Sequence, residues 1–221
     1  MKVKKQHTHP GYYNAAGTRL PSVTTVAKLI SPPEGLIHWA WDCGMKGLDY
    51  REVRDSAADA GTLAHSMIEA DIKQLEQPSS EDEEQQRLAL QGFNAYRSWR
   101  EGSKFELHTT ETVLVSERYQ YGGRLDCVAS VNGELCIVDW KTSKTRSPRD
   151  AWLPQIAAYR QGWNENHRGQ LIGCCHLLQL SKADAGFSHH YFPSETIDLG
   201  WRAFLACLEL YDCRKAVQKV L

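Results

Sequence analysis

No apolar run in this sequence reaches the ~18 residues that a membrane-spanning helix needs, and no segment repeats along it. Neither sign of charge is in excess: 26 Lys and Arg stand against 27 Asp and Glu, a formal net charge of −1. A chain so balanced does not advertise nucleic-acid binding as a whole, so any DNA contact must come from a local patch. No Cys-x-x-Cys pair occurs, which leaves a zinc site without its usual spacing signal. The start, Met1–Lys5, lacks the apolar stretch of a secretory signal and is too short and poor in Arg and Ser for a transit peptide. Together these absences predict a cytoplasmic protein with no membrane partner.

What is present fits one domain. The 221 residues suffice for a full core. The expected layout is a single unit over 1–221, with an arm and helices over 1–100 and a sheet with flanking helices over 101–221. Seven cysteines, an odd number, fall largely inside apolar patterns and read as reduced, buried thiols.

The chemistry concentrates between Tyr121 and Lys144. Two apolar runs, Leu125–Val131 and Leu135–Trp140, flank Asn132-Gly133. Asn-Gly suits a type I′ hairpin turn, which needs positive φ at both central residues. Counting outward from that turn places Asp126 opposite Asp139, and directly opposed residues have Cβ atoms roughly 4.5–5.5 Å apart. Lys141, two residues past Asp139, shares its face. Adjacent carboxylates repel unless one is protonated or a cation sits between them. Mg²⁺ or Mn²⁺ would suit these oxygens, and an ammonium beside a metal-bound water suits phosphodiester hydrolysis. Two acids and a lysine also make an ordinary solvated ion-paired face. Against that, the neighbours are Leu, Cys, Ile, Val and Trp, so the strands read as buried on both faces, where charge needs a reason.

Around the hairpin the pattern alternates helices and strands. Asn14–Gly17 suits a short N-terminal turn, and Pro21-Ser22 suits a helix start before Val23, Val26, Ala27 and Ile30. Leu36–Lys46 carries Trp39 and Trp41, each more simply a core residue than a base-stacking one. A first long helix spans Asp55–Leu75, in which Gly61 predicts a close backbone approach and His65 sits at the core edge. Acidic Glu76–Glu84 is a loop placed away from the substrate path. Gln85–Arg100 is a second helix with Leu88, Phe93, Tyr96 and Trp99 buried. Phe105–Ser116 is a strand pair or one bent strand, with Glu111 at the mouth of a buried run. Gly122-Gly123 predicts close approach of backbone or substrate, and Arg124 shares the face of Asp126. Lys144, Arg146 and Arg149 form the one clear basic run, a candidate phosphate track. Asp150–Asn166 is a helix with Gln155 and Tyr159 on one face, Leu171–Leu180 and Phe187–Phe192 are strands, and Gly200–Leu221 is a closing helix. Strands buried on both faces and bracketed by helices predict an α/β fold, a central mixed β-sheet flanked by helices.

Asp126 followed by Val138-Asp139-Trp140-Lys141 resembles the signature of the PD-(D/E)xK nucleases. With Gly61-Thr62-Leu63-Ala64-His65, Glu111, Gly123-Arg124-Leu125-Asp126 and Gln155-Ile156-Ala157-Ala158-Tyr159, the chain resembles the RecB-type exonuclease branch over roughly Leu20 to Leu180. The stretch from Glu111 to Ser143 is especially similar to the exonucleases of mitochondrial genome maintenance and their phage relatives. The resemblance implies the restriction-endonuclease-like core. It also implies that Glu111, Asp126, Asp139, His65 and the backbone carbonyl of Trp140 hold one or two Mg²⁺ or Mn²⁺ ions, and that Lys141 positions the attacking water. It gives Gln155 and Tyr159 to the DNA backbone or to orienting Lys141, while Arg124, by its place on the face of Asp126, is expected to meet a phosphate. Some RecB-type nucleases hold an iron–sulfur cluster, for which Cys43, Cys174, Cys175, Cys207 and Cys213 invite comparison. Their spacing departs from that pattern, and adjacent Cys174 and Cys175 on a strand point to opposite faces, so no cluster is expected.

The expected activity is a metal-dependent DNA exonuclease preferring single-stranded ends, in replication, recombination or repair, of phage type, with a possible replication or recombination partner protein. Two alternatives stand beside it: a duplex-end-processing exonuclease working with an annealing partner, and a non-catalytic DNA-binding relative.

Overall fold

A computed structural model describes residues 11–31, 34–143 and 148–221. The basic-run residues Lys144 and Arg146 lie outside the described residues. A two-stranded ribbon, β1 (Tyr12–Tyr13) and β2 (Arg19–Leu20), closes around the Asn14–Gly17 turn. Three helices follow: α1 (Val23–Ala27), extended by a 3₁₀ turn to Ile30, α2 (Glu34–Met45) and α3 (Tyr50–Lys73). Then come α4 (Glu83–Glu101), β3 (Phe105–Ser116), β4 (Tyr121–Val131), β5 (Glu134–Ser143) and α5 (Trp152–Asn166). β6 (Cys174–Ser181), β7 (Phe187–Phe192) and α6 (Ser194–Val220) complete the chain.

Strands β3 to β7 form one five-stranded sheet in sequence order. It is mixed: β5 and β6 run parallel, joined through α5, and every other pair is antiparallel. One face packs Ile137, Val128 and Leu177 against α1, α5 and α6. The other packs Cys127, Ala129, Val138 and Trp140 against Leu63, Ala64 and Met67 of α3 and Phe93, Tyr96 and Trp99 of α4. The predicted α/β sandwich is therefore the observed one, and the hairpin strands are buried on both sides because they sit at its centre.

The Asn132-Gly133 turn forms as expected, with φ of 55° and 89°. The register Val131 with Glu134 through Cys127 with Val138 follows from it. Local capping agrees with the sequence: Ser22 Oγ accepts from Thr25 N at the start of α1. β3 is one strand, irregular between Leu107 and Thr109. The last helix begins six residues earlier than its apolar pattern does, at Ser194 rather than Gly200.

Some expectations were wrong. Trp41 is 60% exposed on α2, because that helix is covered on little of its surface; only Cys43 of it is buried. Gly122, by contrast, does meet backbone closely, donating its N–H to the Pro21 carbonyl at 3.0 Å, and a Cβ there would stand 2.3 Å from the Tyr12 side chain, so the N-terminal ribbon occupies the space. Gly123 similarly makes room for Tyr159 and Val23.

Gly61 does mark a close approach. A Cβ on it would lie 2.8 Å from Thr142 Oγ1, one residue past Lys141, so this glycine sets how near α3 comes to β5. Gly61→Ala gains about 1 kcal/mol of helix propensity but meets an overpacking cost of ~1–3 kcal/mol. A Tm lower by a few degrees is expected in thermal melts; an unchanged or raised Tm would show that Thr142 yields freely.

Candidate active site

Asp126 stands near the middle of β4, and Asp139 and Lys141 in the second half of β5. The β4–β5 ladder ends at Cys127 with Val138, so one more step of the count sets Asp126 level with Asp139. There the strands exchange a side chain for a backbone pair: Asp126 Oδ2 accepts the Trp140 N–H at 2.9 Å. On the other side of β4, the pairs Thr110 with Cys127 and Thr112 with Leu125 bracket Glu111 level with Asp126. Glu111 has φ of 50°, a left-handed conformation unusual for a non-glycine residue in a strand. The expectation of a strand-mouth residue is thus corrected: Glu111 lies mid-strand, at a strained position, beside the hairpin carboxylates.

The remaining groups close on these acids. Lys141 Nζ lies 2.5 Å from Asp139 Oδ2, and Asp139 is 1% exposed. His65 Nδ1, carried on α3, lies 3.7 Å from Asp126 Oδ1. Arg124 Nε lies 2.8 Å from Glu111 Oε2, so this guanidinium is engaged by an acid. Gln155 Nε2 donates to Tyr159 Oη at 2.9 Å and lies 3.3 Å from Thr24 Oγ1. Tyr159 is buried against Gly123, behind the carboxylates. Arg149 is exposed ahead of α5, away from described ion pairs.

Burial controls the protonation of this cluster. It raises Asp139 to about 6, with Asp126 adding repulsion and Lys141 opposing. It raises Glu111 to about 7, again with Asp126 adding to it and Arg124 opposing. Asp126 is raised by burial against the pull of Lys141. His65 is lowered to about 4 by burial and then by Lys141, with Asp139 and a hydrogen bond at the Trp140 backbone working the other way. The imidazole is therefore neutral at pH 7 and free to donate a lone pair.

Three carboxylates and a neutral imidazole are a donor set for a hard divalent cation. Asp139 Oδ1 is buried and accepts no hydrogen bond among the described residues. Such an orphaned oxygen is costly unless a ligand satisfies it, so the residues fit a metal ion.

A pH dependence follows. Glu111 binds its proton more tightly folded than unfolded, so the folded protein holds more protons between the ordinary glutamate value and about 7. Stability contributed by this group is intact at pH 4 and is lost as pH rises through that window. In EDTA, Glu111→Gln is expected to melt like the parent at pH 4 and progressively higher than it towards pH 8. A difference independent of pH would contradict this.

Two residues here escaped the sequence reading. Lys182, in the β6–β7 turn, is 5% exposed, donates to the Ala57 carbonyl at 2.7 Å, and adds positive potential at His65. A lysine in a Lys182–Gly186 turn carries no sign of burial; the docking of α3 and α4 over the sheet encloses it. Tyr12 reaches the same neighbourhood, its hydroxyl feeling both Arg124 and Glu111.

The chain is 26% identical over 204 residues to mouse Mitochondrial genome maintenance exonuclease 1, covering 87% of this chain and 59% of that protein. It is 32% identical over 116 residues to the Homo sapiens protein of the same name, covering 50% of this chain and 33% of that one. The chain thus spans less than two thirds of these relatives. An alkaline exonuclease structure from Laribacter hongkongensis matches at 16% identity and a TM-score of 0.34, over 73% of this chain and 91% of that one; at that level the likeness adds nothing to the assignment. The family model for the PD-(D/E)XK nuclease superfamily matches residues 38–183, a span that includes His65, Glu111, Asp126, Asp139 and Lys141. The chain belongs to the PD-(D/E)XK nuclease superfamily.

Proposed function

We propose that this chain is a metal-dependent DNA exonuclease, hydrolysing phosphodiester bonds at single-stranded ends in replication, recombination or repair. Membership of a nuclease superfamily whose members use divalent metal ions sets the reaction class. The names of the relatives favour attack at chain ends. The observation that carries the reading is Asp139: a carboxylate 1% exposed, paired to Lys141 on one oxygen and unsatisfied on the other, next to Asp126.

Asp126, Asp139 and Glu111, with His65 and the Trp140 carbonyl, would hold one or two Mg²⁺ or Mn²⁺ ions. Bound there, such ions would lower the pKa of a coordinated water and offset phosphate charge. Lys141, held by Asp139, presents an ammonium that orients the attacking water. Asp126, tied to the Trp140 N–H, keeps its second oxygen turned toward His65. Arg124 spends its Nε–H on Glu111 and retains its terminal N–H groups for a phosphate oxygen. Tyr159, fixed by Gln155, keeps β4 and α5 in register behind the carboxylates. Lys144 and Arg146, which follow Lys141 in sequence and lie outside the described residues, would together with the exposed Arg149 supply positive charge for a phosphate track.

The test uses 5′- and 3′-end-labelled oligonucleotides, single-stranded and blunt duplex, with Mg²⁺, Mn²⁺ or EDTA. Metal-dependent shortening from one end, faster on single strands, is the expected result. Faster digestion of duplex would replace the substrate assignment. Folded protein that binds DNA without cleaving it under either metal would overturn the enzymatic reading.

A further inference from the structure

A second cluster of ligating groups lies elsewhere on the sheet, on its α3/α4 face. Cys136 of β5 and Cys174 of β6 are register partners, and His176 follows Cys174 by two residues on the same strand face. The three offer ligand atoms within 4.8 Å of one another, and all are buried, with 0%, 1% and 5% of their surface exposed. From these neighbours we infer that Cys136, Cys174 and His176 form a binding site for a soft or borderline transition-metal ion of the Zn²⁺ class, separate from the oxygen-rich site of Asp126 and Asp139.

The imidazole is set up for this. His176 Nδ1 lies 2.6 Å from His189 Nε2, and the rings stack with centroids 4.9 Å apart. In the tautomer in which His176 Nδ1 donates to His189 Nε2, a lone pair is left on His176 Nε2, which is buried without a hydrogen-bond partner among the described residues. A metal-bound histidine is generally oriented by a hydrogen bond at its other ring nitrogen, a place filled here by the His189 imidazole. The Cys136 thiol meets the Ala129 carbonyl at 3.3 Å and the Cys174 thiol the Leu135 carbonyl at 3.8 Å, and Cys174 also interacts with Cys136, His176 and Glu134.

The dimensions suit zinc. Zn–S bonds of about 2.3 Å place tetrahedral ligand atoms roughly 3.8 Å apart, so a contraction of about 1 Å or less closes the present spacing. Each thiol releases one proton to solvent on binding, and the two thiolates balance the charge of a divalent ion. Glu134 begins β5 at the surface, is hydrogen-bonded toward Cys174 and is met by Tyr191 Oη at 3.4 Å. Its carboxylate can supply the fourth ligand and marks the route of entry. Oxygen-loving Mg²⁺ has no claim on two sulfurs, so the two sites sort their ions by donor type.

The test is a Co²⁺ titration of the reduced, full-length chain under excess Mg²⁺, which keeps the carboxylates occupied. Thiolate-to-cobalt charge-transfer absorption is expected, saturating at about one ion per chain and bleached by Zn²⁺. It should vanish in Cys174→Ser and Cys136→Ser, weaken roughly tenfold or more in affinity in His176→Gln, and persist in Cys213→Ser, whose thiol is exposed and remote from the cluster in sequence and sheet. Circular dichroism identifies any variant that fails to fold, and the remaining ones then carry the comparison. Absence of the band in the parent chain, or its survival in both Cys174→Ser and Cys136→Ser, would overturn the site.

Discussion

Asp139→Asn is expected to abolish metal-dependent DNA cleavage and, at pH 8 in EDTA, to raise the melting temperature. The two effects have one cause. Asp139 is buried and its carboxyl is pushed up to about 6, so at pH 8 the fold holds an anion that its surroundings disfavour. Asparagine keeps the volume and removes the charge, which relieves on the order of 1–3 kcal/mol in the metal-free protein. The same charge is what a divalent cation would bind. Losing several kcal/mol of transition-state stabilisation corresponds to roughly 10³-fold or more in rate. Nuclease assays with Mg²⁺ and Mn²⁺ paired with thermal melts read both arms. Cleavage within tenfold of the parent rate would remove Asp139 from the site. A lower melting temperature in EDTA would show that the Lys141 pair outweighs the burial of the carboxylate.

Lys141→Ala separates chemistry from metal binding. Its ammonium touches Asp139 and competes with a cation for the same oxygen, so its removal should leave Mn²⁺ affinity unchanged or tighter by calorimetry. Turnover should fall by about 10²–10⁴-fold, the range for removing a group that positions or transfers a proton. In EDTA at pH 8 the variant should also melt below the parent, because a buried carboxylate has lost its counter-charge. Turnover and affinity falling together would make Lys141 part of the metal site's architecture rather than a group acting on water.

These expectations depend on features of differing visibility. The Asn132-Gly133 turn is a local signal, and once its two positive φ angles are accepted the alignment of Asp126, Asp139 and Lys141 follows by counting. Alternation and turn chemistry act over a few residues, so such relations survive translation from sequence to structure. Glu111 was assigned through the family resemblance, but its left-handed backbone was not foreseen, because no local pattern marks a glutamate for that conformation. Arg124 was expected to face a phosphate; what the sequence did not show is that its Nε also meets Glu111, a partner 13 residues away across the β3–β4 pair. Lys182 and Tyr12 entered the neighbourhood only because distant segments dock there.

Sequence alone determined the α/β class, the hairpin register that aligns Asp126, Asp139 and Lys141, and the burial of α4's aromatic stripe, since each rests on a periodicity or turn preference internal to one segment. Tertiary structure alone decided what packs around them. It filled the space at Gly122 with Tyr12, left Trp41 at the surface, buried Lys182, and brought Cys136 beside Cys174 and His176 with no spacing motif to announce it. Cys136 lies on one strand of a parallel pair and Cys174 and His176 on the other, and the register of that pair is set by the α5 crossover and the two cores packed on either face, quantities that no local stretch of chain contains.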